Sequence, residues 1–452
     1  MRAPGCANIP GPGFWETPAS LKHGVPGASI PQRRADPMDH PYSKRYTMAK
    51  SGKRMLKFAI LMVALVSQIN TIASVMLTDL AVTFPDASDT VIQYVMQMGM
   101  VGAFIISFAL TFLTNFFKRR TLVLFGLILI MVGGIVPIFL HSSIYLLWFF
   151  AFLVGAGQGI LLPTLGALIL DNFEGDERNQ MLGLNTAFYN AAAAALLVVA
   201  GFLCTSGWIN VYYCYFIVIP VFVIAILFLS PEENKAEQPA DGSAPAKKKG
   251  GVPVKGLIQC LLNVVLMIGY AVFPLNLSLY VVRDAAIADA SAVGIAMSLV
   301  TIVAALVSLI LPQVVKVVKL YIGFIAAAFG LLANVLVMFA SDITLIYVAA
   351  VADGVFFGLL MAGAGYLVGR ICTPEEYGPT YALSTSFVSL GTIFCPIVVN
   401  FISGIWGGDI ANAGTAFVTA IGVFAVATVI QFVWASYLTK TLPPEEAPAA
   451  QE

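Results

Sequence analysis

Residues 157–188 read GQGILLPTLGALILDNFEGDERNQMLGLNTAF, and residues 356–387 read FFGLLMAGAGYLVGRICTPEEYGPTYALSTSF. A shift of 199 residues aligns the two stretches without a gap, and the same shift places Arg120 on Lys319. The shared positions are Gly159 with Gly358, Gly166 with Gly365, Glu177 with Glu376, Thr186 with Thr385 and Phe188 with Phe387. The sequence therefore predicts two related halves.

The composition indicates the class of protein. The 452 residues are 59% apolar and 11% charged, whereas soluble domains average about 45–50% apolar and about 25% charged. So few charges could not cover a water-facing surface, and the apolar residues lie in long runs, which excludes soluble, disordered and fibrous proteins. The formal net charge is zero, so nothing indicates a nucleic-acid partner. We predict an all-α protein embedded in a lipid bilayer.

Apolar runs of about 20 residues, the length that crosses the hydrocarbon core, occur twelve times, in two groups of six. They are 58–80, 91–113, 121–140, 144–168, 180–203, 209–229, 256–280, 292–312, 320–340, 343–367, 380–402 and 414–437. We therefore expect twelve transmembrane helices in two six-helix halves.

The remaining segments are polar and rich in Pro, Gly, Ala or Lys, a composition typical of tails and linkers. The predicted domains are a disordered cytoplasmic tail (1–55), an N-terminal six-helix bundle (56–230), a cytoplasmic linker (231–254), a C-terminal six-helix bundle (255–440) and a cytoplasmic C-terminal tail (441–452).

The basic residues predict the orientation. If the N-terminus is inside, 23 of the 24 Lys and Arg residues lie on the inner side, and only Arg283 lies outside. Lys and Arg are retained on the cytoplasmic side of short loops, so we expect a multi-pass protein of the cytoplasmic (inner) membrane with both termini in the cytoplasm. For Arg283 and its neighbour Asp284 we predict either a gate pair or a plain interfacial ion pair.

Two sequence stretches resemble the major facilitator superfamily: VGAGQGILLP (154–163) in the fourth span, and the acidic inner loop DNFEGDER (171–178) that leads into the fifth. The six-plus-six arrangement adds to the resemblance. The resemblance covers about residues 56–440. It implies transport by alternating access, with a substrate site near the bilayer midplane that is lined by the first, fourth, seventh and tenth helices.

In that family the hairpin after the second span usually reads Gly-x-x-x-Asp-Arg-x-Gly-Arg-Arg, and its charges bias the conformational switch. Here the hairpin reads TFLTNFFKRR (111–120), which keeps Arg119 and Arg120 and places Asn115 at the Asp position. The resemblance implies that these three residues belong to the switch.

Polar side chains inside the spans indicate faces that point away from lipid, because exposing them to lipid costs free energy. In the first span several of them share one helical face. We predict that the substrate- or proton-binding residues are Asn70, Thr71, Ser74, Gln158, Gln259, Asn263, Tyr270 and Asp353. For the Ser and Thr residues, hydrogen bonding between helices is the alternative.

Asp353 is the one carboxylate well inside a predicted span, and no Lys or Arg in any span can pair with it. Its charge would be costly there, so a proton could bind and leave near neutral pH, as proton coupling requires. An ionised Asp353 would instead bind a cationic substrate, and a permanently protonated one would hold a packing hydrogen bond. Because the spans offer no cation to a dense anion, we predict a neutral, amphipathic or cationic substrate.

These patterns predict a monomeric secondary transporter that exports a small molecule in exchange for protons, without a cofactor or a metal ion. Export is implied by the resemblance, since many carriers with this fourth-span motif are exporters. A proton-coupled importer of a sugar or another neutral metabolite is the alternative. A membrane enzyme or a channel is disfavoured, because Asp353 has no nucleophile or second acid beside it and the six-plus-six repeat favours a carrier.

Overall fold

The computed structural model describes residues 50–229, 251–409 and 411–442. Most of the predicted tails (1–55 and 441–452) and of the predicted linker (231–254) lies outside the described residues. Within the described ranges all regular structure is helical. This confirms the predicted all-α fold.

The first six membrane crossings are built from seven α-helices. They are α1 (Lys50–Val66), α2 (Leu77–Thr83), α3 (Asp89–Phe116), α4 (Arg119–Ile135), α5 (Ile144–Asn172), α6 (Gly175–Cys204) and α7 (Val218–Phe228). The 3₁₀ segment Ile69–Val75 joins α1 and α2 into one crossing, and the 3₁₀ segment Trp208–Ile217 precedes α7 in the sixth.

The second six crossings are built from six α-helices. They are α8 (Val254–Ser278), α9 (Ala290–Val318), α10 (Ile322–Met338), α11 (Ile343–Ile371), α12 (Pro374–Ile405) and α13 (Ala413–Thr441). A π-helical segment, Leu279–Asp284, extends α8.

Within the described residues, length and composition alone mark eleven apolar helical stretches, because the 49 residues Ala290–Met338 count as one. At 1.5 Å per residue, a straight helix of that length would be about 74 Å long, whereas a crossing needs about 30 Å. The chain turns at Lys319, whose φ of 50° ends α9. This stretch is therefore two crossings, and the part of the chain that the structure describes contains the predicted twelve.

Short polar side chains begin four of the helices at the same end of the bundle. Ser143, Asp289, Asp342 and Asn412 each accept a hydrogen bond from a backbone N–H in the first turn of α5, α9, α11 and α13. Such caps satisfy donors that the helix itself leaves unpaired. The hairpin Lys118–Arg120 lies at the opposite end of the bundle, and we call that end the basic end.

Four glycines press against the backbone of a neighbouring helix. The pairs are Gly155 with Gly99 and Gly159 with Ala103 (α5 on α3), and Gly354 with Val300 and Gly358 with Ala304 (α11 on α9). At each glycine a Cβ would come closer than 3.0 Å to the partner's carbonyl oxygen. The fourth crossing of each half thus packs on the second in the same way, which confirms the internal repeat.

Candidate substrate and proton site

Asp353 lies near the middle of α11 and is fully buried. Neither of its carboxyl oxygens has a hydrogen-bond partner among the described residues. Tyr270 of α8 lies within electrostatic range of the carboxyl group. The structure therefore brings together two of the predicted site residues, both from the C-terminal half.

Phe357 lies one helical turn from Asp353 on the same face of α11. Its ring stacks on that of Tyr270, with 4.6 Å between centroids and 13° between the planes. Both side chains are only partly buried. The sequence interpretation missed Phe357, although the repeat aligns it with Gln158 and so gave the signal.

The first crossing leaves the α-helical path at mid-depth, where the sequence predicts an unbroken span. Gln68 precedes the 3₁₀ segment with φ −120° and ψ 18°. Around this break the hydroxyls of Ser67, Thr71 and Ser74 donate to the backbone oxygens of Val63, Gln68 and Thr71. Such bonds compete with the helical ladder, which explains a break in a stretch without Gly or Pro.

Asn70 is buried within the N-terminal half and lies against α3. Its Nδ2 donates to the backbone oxygen of Met96 at 3.5 Å, and its side chain fills the space beside Gly99. The side chains of Thr71 and Ser74 are those bound to the local backbone. The three predicted residues of the first crossing therefore all have partners inside their own half.

Gln158 lies at the middle of α5 and faces the break in the first crossing. Its Nε2 donates to Oε1 of Gln68 at 3.3 Å. The residue is 7% exposed, and its Oε1 has no hydrogen-bond partner among the described side chains and backbone groups. Gln158 thus keeps a buried acceptor available for a ligand.

Gln259 and Asn263 belong to a buried hydrogen-bond chain inside the C-terminal half. Gln259 Nε2 donates to Asn263 Oδ1 at 3.0 Å, and Asn263 Nδ2 donates to the Ser384 hydroxyl at 3.1 Å. The indole N–H of Trp434 donates to Gln259 Oε1 at 3.0 Å. These contacts join α8 to α12 and α13, and Ser384 and Trp434 are members that the sequence interpretation did not connect.

The hairpin at the basic end ties α4 to two neighbouring helices. Arg119 Nη1 forms an ion pair with Asp171 at the end of α5. Arg120 Nη2 donates to the backbone oxygen of Ile226 in α7 at 2.7 Å. Asn115 is in α3, but its side chain lies outside the described residues. The two arginines therefore hold the ends of helices of the same half.

The two halves are joined at the end opposite the basic end, through contacts that we call the inter-half joint. Its side-chain pairs are Arg283 with Asp89 (Nη1–Oδ1 2.8 Å and Nη2–Oδ2 2.9 Å), Gln93 with Asn276 (2.8 Å), Thr78 with Ser278 (2.8 Å) and Asn400 with Thr90 (2.6 Å). Arg283 also binds Asp284 within its own half. The bidentate bridge to Asp89 crosses the halves, as a gate pair would.

The sequence interpretation missed the glutamine residues of the joint. Gln97 also belongs to it, because its Nε2 donates to the backbone oxygen of Thr392. Gln93 and Gln97 are four residues apart in α3 and therefore share a helical face, which was the available signal. Their partners are more than 180 residues away in the chain.

Comparisons with known proteins agree with this architecture. The family model described as Major Facilitator Superfamily matches residues 56–333 and 259–452. The glucose/mannose transporter GlcP of Bacillus subtilis (strain 168) is 32% identical over 109 residues, which are 24% of this chain and 27% of that protein. The match thus spans about a quarter of the length of that relative.

Solved structures of transporters have the same fold. A bacterial homolog of the human lysosomal transporter Spinster, inward-facing and unoccupied, superposes with a TM-score of 0.69 at 13% identity, covering 89% of this chain and 100% of that one. The nucleoside transporter NupG gives a TM-score of 0.66 at 12% identity, covering 84% and 98%. Together with the family match over most of the chain, the twelve crossings and their repeat show that this protein belongs to the Major Facilitator Superfamily.

Proposed function

We propose that this transporter exports a small neutral, amphipathic or cationic molecule in exchange for protons, with Asp353 as the group that carries the proton. One observation supports this most directly: the Asp353 carboxyl group is fully buried and its oxygens have no hydrogen-bond partner among the described residues. A buried charge without a partner is costly, so the neutral, protonated form fits this position.

Release of the proton then requires a change around Asp353. Water or a solute must reach the carboxyl group before its charge is tolerated, and a rearrangement of the helices of the two halves supplies that access. Loss of the proton and movement of the helices are thereby coupled. The proposal also includes a monomer in the cytoplasmic membrane; the orientation with both termini in the cytoplasm rests on the retention of Lys and Arg on that side.

The test is proton movement in proteoliposomes that contain a pH-sensitive dye. A panel of lipophilic cations, neutral amphiphiles, sugars and dicarboxylates is added outside without an imposed proton gradient. An antiporter carries protons out as the solute enters, so the lumen becomes alkaline. A symporter carries protons in with the solute, so the lumen becomes acidic.

Asp353→Asn is the decisive variant, because asparagine has nearly the same shape and cannot release a proton. We expect it to abolish the dye response to the active compound. Asp342→Asn is the matched control, since asparagine still caps α11 far from the buried carboxyl group. A wild-type dye response in Asp353→Asn would refute the coupling role of Asp353.

A second candidate is a proton-coupled importer of a sugar or another neutral metabolite. The observation that favours it is the 32% identity with the glucose/mannose transporter GlcP over 109 residues. The same dye experiment separates the candidates, because a sugar that acidifies the lumen identifies a symporter.

A further inference from the structure

Two of the helices that pack on α3 contain a proline in their interior. They are α5 with Pro163 and α12 with Pro396. Proline has no N–H, so it leaves the carbonyl oxygen four residues earlier without its helical donor. The oxygens concerned are those of Gly159 and Thr392. Within a membrane such oxygens need another donor, which a neighbouring helix can supply.

Side chains of α3 supply both of the missing hydrogen bonds. The Ser107 hydroxyl donates to the backbone oxygen of Gly159 at 3.2 Å, and Gln97 Nε2 donates to the backbone oxygen of Thr392. Gln97 is fully buried, and its Oε1 has no hydrogen-bond partner among the described residues. The paired end of this amide is therefore the donor, and its acceptor is the oxygen that Pro396 leaves without a helical bond.

The two hydrogen bonds differ in the halves that they connect. Ser107 and Gly159 belong to the same half, so their bond can persist while the halves move. Gln97 and Thr392 belong to opposite halves, and their bond is part of the inter-half joint, which alternating access must open. Opening the joint therefore takes from α12 a hydrogen bond that this helix cannot make by itself.

We propose that Gln97 is a positioning residue of the transport cycle: it holds the joint closed by completing the hydrogen bonding of α12 at Pro396. In the closed joint the amide satisfies the buried oxygen of Thr392 without water. Once the halves part, water must take its place, because an unpaired buried carbonyl is costly. The inference goes beyond the proposed proton coupling and requires only that the halves part at the joint.

The neighbouring carbonyl oxygen of α12 shows why the proline matters. The Tyr94 hydroxyl donates across the halves to the backbone oxygen of Ile393 at 3.3 Å. Ile397, four residues after Ile393, has an N–H and can donate to the same oxygen, as in any α-helix. Loss of the Tyr94 bond thus leaves a satisfied oxygen, whereas loss of the Gln97 bond leaves an unsatisfied one.

The experiment measures how often the joint opens in the full-length protein in lipid nanodiscs. The reporter is Ser278→Cys, at a fully buried residue of the joint, and the readout is its rate of labelling by a membrane-impermeant maleimide. Gln97→Met removes the donor and keeps an unbranched side chain. We expect about tenfold faster labelling, because the closed joint then buries an oxygen without a partner. Each variant without Ser278→Cys gives its background rate.

Pro396→Ala tests whether the effect depends on the proline. Alanine restores an N–H that can donate to the backbone oxygen of Thr392 within α12, so the helix no longer needs Gln97. In the protein with Pro396→Ala, Gln97→Met should speed labelling less than about threefold. Equal acceleration with and without Pro396→Ala would overturn the proposal. So would an unchanged labelling rate in Gln97→Met when Pro396 is kept.

Two matched variants remove other donors of α3. Ser107→Ala removes the corresponding bond inside one half, so it should lower the unfolding temperature and leave the labelling rate unchanged. Tyr94→Phe should change the rate less than about twofold, because the backbone oxygen of Ile393 keeps its helical donor. If Ser107→Ala sped labelling as much as Gln97→Met, general loosening of α3 would explain the effect and the proposal would be overturned.

Gln97→Leu, measured beside Gln97→Met, preserves the comparison if the methionine variant does not fold. The labelling needs neither a solute nor a proton gradient. Its result is therefore independent of whether Asp353 carries the proton, and failure of one proposal leaves the other standing.

Discussion

At the scale of single residues, Asp289 shows how one side chain begins a helix. Its Oδ1 accepts hydrogen bonds from the Ser291 hydroxyl at 2.6 Å and the Ala292 amide at 3.1 Å, at the start of α9. These bonds lower the pKa of the Asp289 carboxyl group below its ordinary value. The stability that Asp289 contributes is therefore full above its unfolded pKa of about 3.9 and is lost as the pH falls through the folded value.

We expect Asp289→Ala to lower the free energy of unfolding by about 1 kcal/mol at neutral pH, because it removes the cap. The difference from the wild type should narrow below about pH 4, where the wild-type carboxylate is protonated. Thermal unfolding in detergent across this pH range measures it. Asp289→Asn, which caps without titrating, is the control. A difference that is constant at every pH would contradict the linkage.

The sequence identified Asp353 because a lone carboxylate in an apolar span is visible without a structure. It did not show which polar residues have partners. Gln259 and Asn263 looked like Gln158 in the sequence, yet their partners Ser384 and Trp434 come from α12 and α13. Such contacts depend on how the helices pack, so the site membership of these residues stays a prediction.

At the scale of helices, close packing of α5 on α3 depends on Gly155. A Cβ on Gly155 would overlap the backbone of Gly99, whereas a Cβ on Gly166 of the same helix would meet nothing within 4 Å. The backbone of a neighbouring helix has no rotamer that could relieve the overlap, so the helices must separate.

We expect Gly155→Ala to destabilise the protein by about 1–3 kcal/mol, the range for overpacked cores. Gly166→Ala should be neutral or stabilising by up to about 1 kcal/mol, because alanine favours the helix over glycine. Thermal unfolding of both variants in the same detergent provides the comparison. Equal unfolding temperatures for the two variants would contradict the packing argument.

The twelve crossings were predictable because each apolar run has the length that a bilayer requires. The break at Gln68 was not, since no Gly or Pro marks it and the hydroxyl groups around it also fit a regular helix. What decides the local structure is the competition between side-chain and backbone hydrogen bonds, together with the fit of Asn70 beside Gly99. Neither this competition nor this fit can be deduced from the periodicity of the sequence.

At the scale of the whole molecule, the repeat was predictable, but the contacts that join the two halves were not. Glycine spacing and the aligned loops indicated two similar bundles, and the packing of α5 on α3 and of α11 on α9 confirms them. The inter-half joint pairs residues of α2 and α3 with residues of α8, of its π-helical extension and of α12, which no local pattern connects. Alternating access requires that this joint opens during transport.

The bridge between Arg283 and Asp89 should therefore set how often the joint opens. Asp89→Asn removes the negative charge that pairs with Arg283. The reporter is Ser278→Cys, since Ser278 is a fully buried residue of the joint. We expect Asp89→Asn to make its labelling by a membrane-impermeant maleimide about tenfold faster. The protein without Ser278→Cys gives the background rate of labelling. Asp342→Asn, which removes a charge at the same end but outside the joint, should leave the rate unchanged. If Ser278→Cys were labelled at the same rate with and without Asp89→Asn, the other polar pairs of the joint would hold the halves together without the bridge.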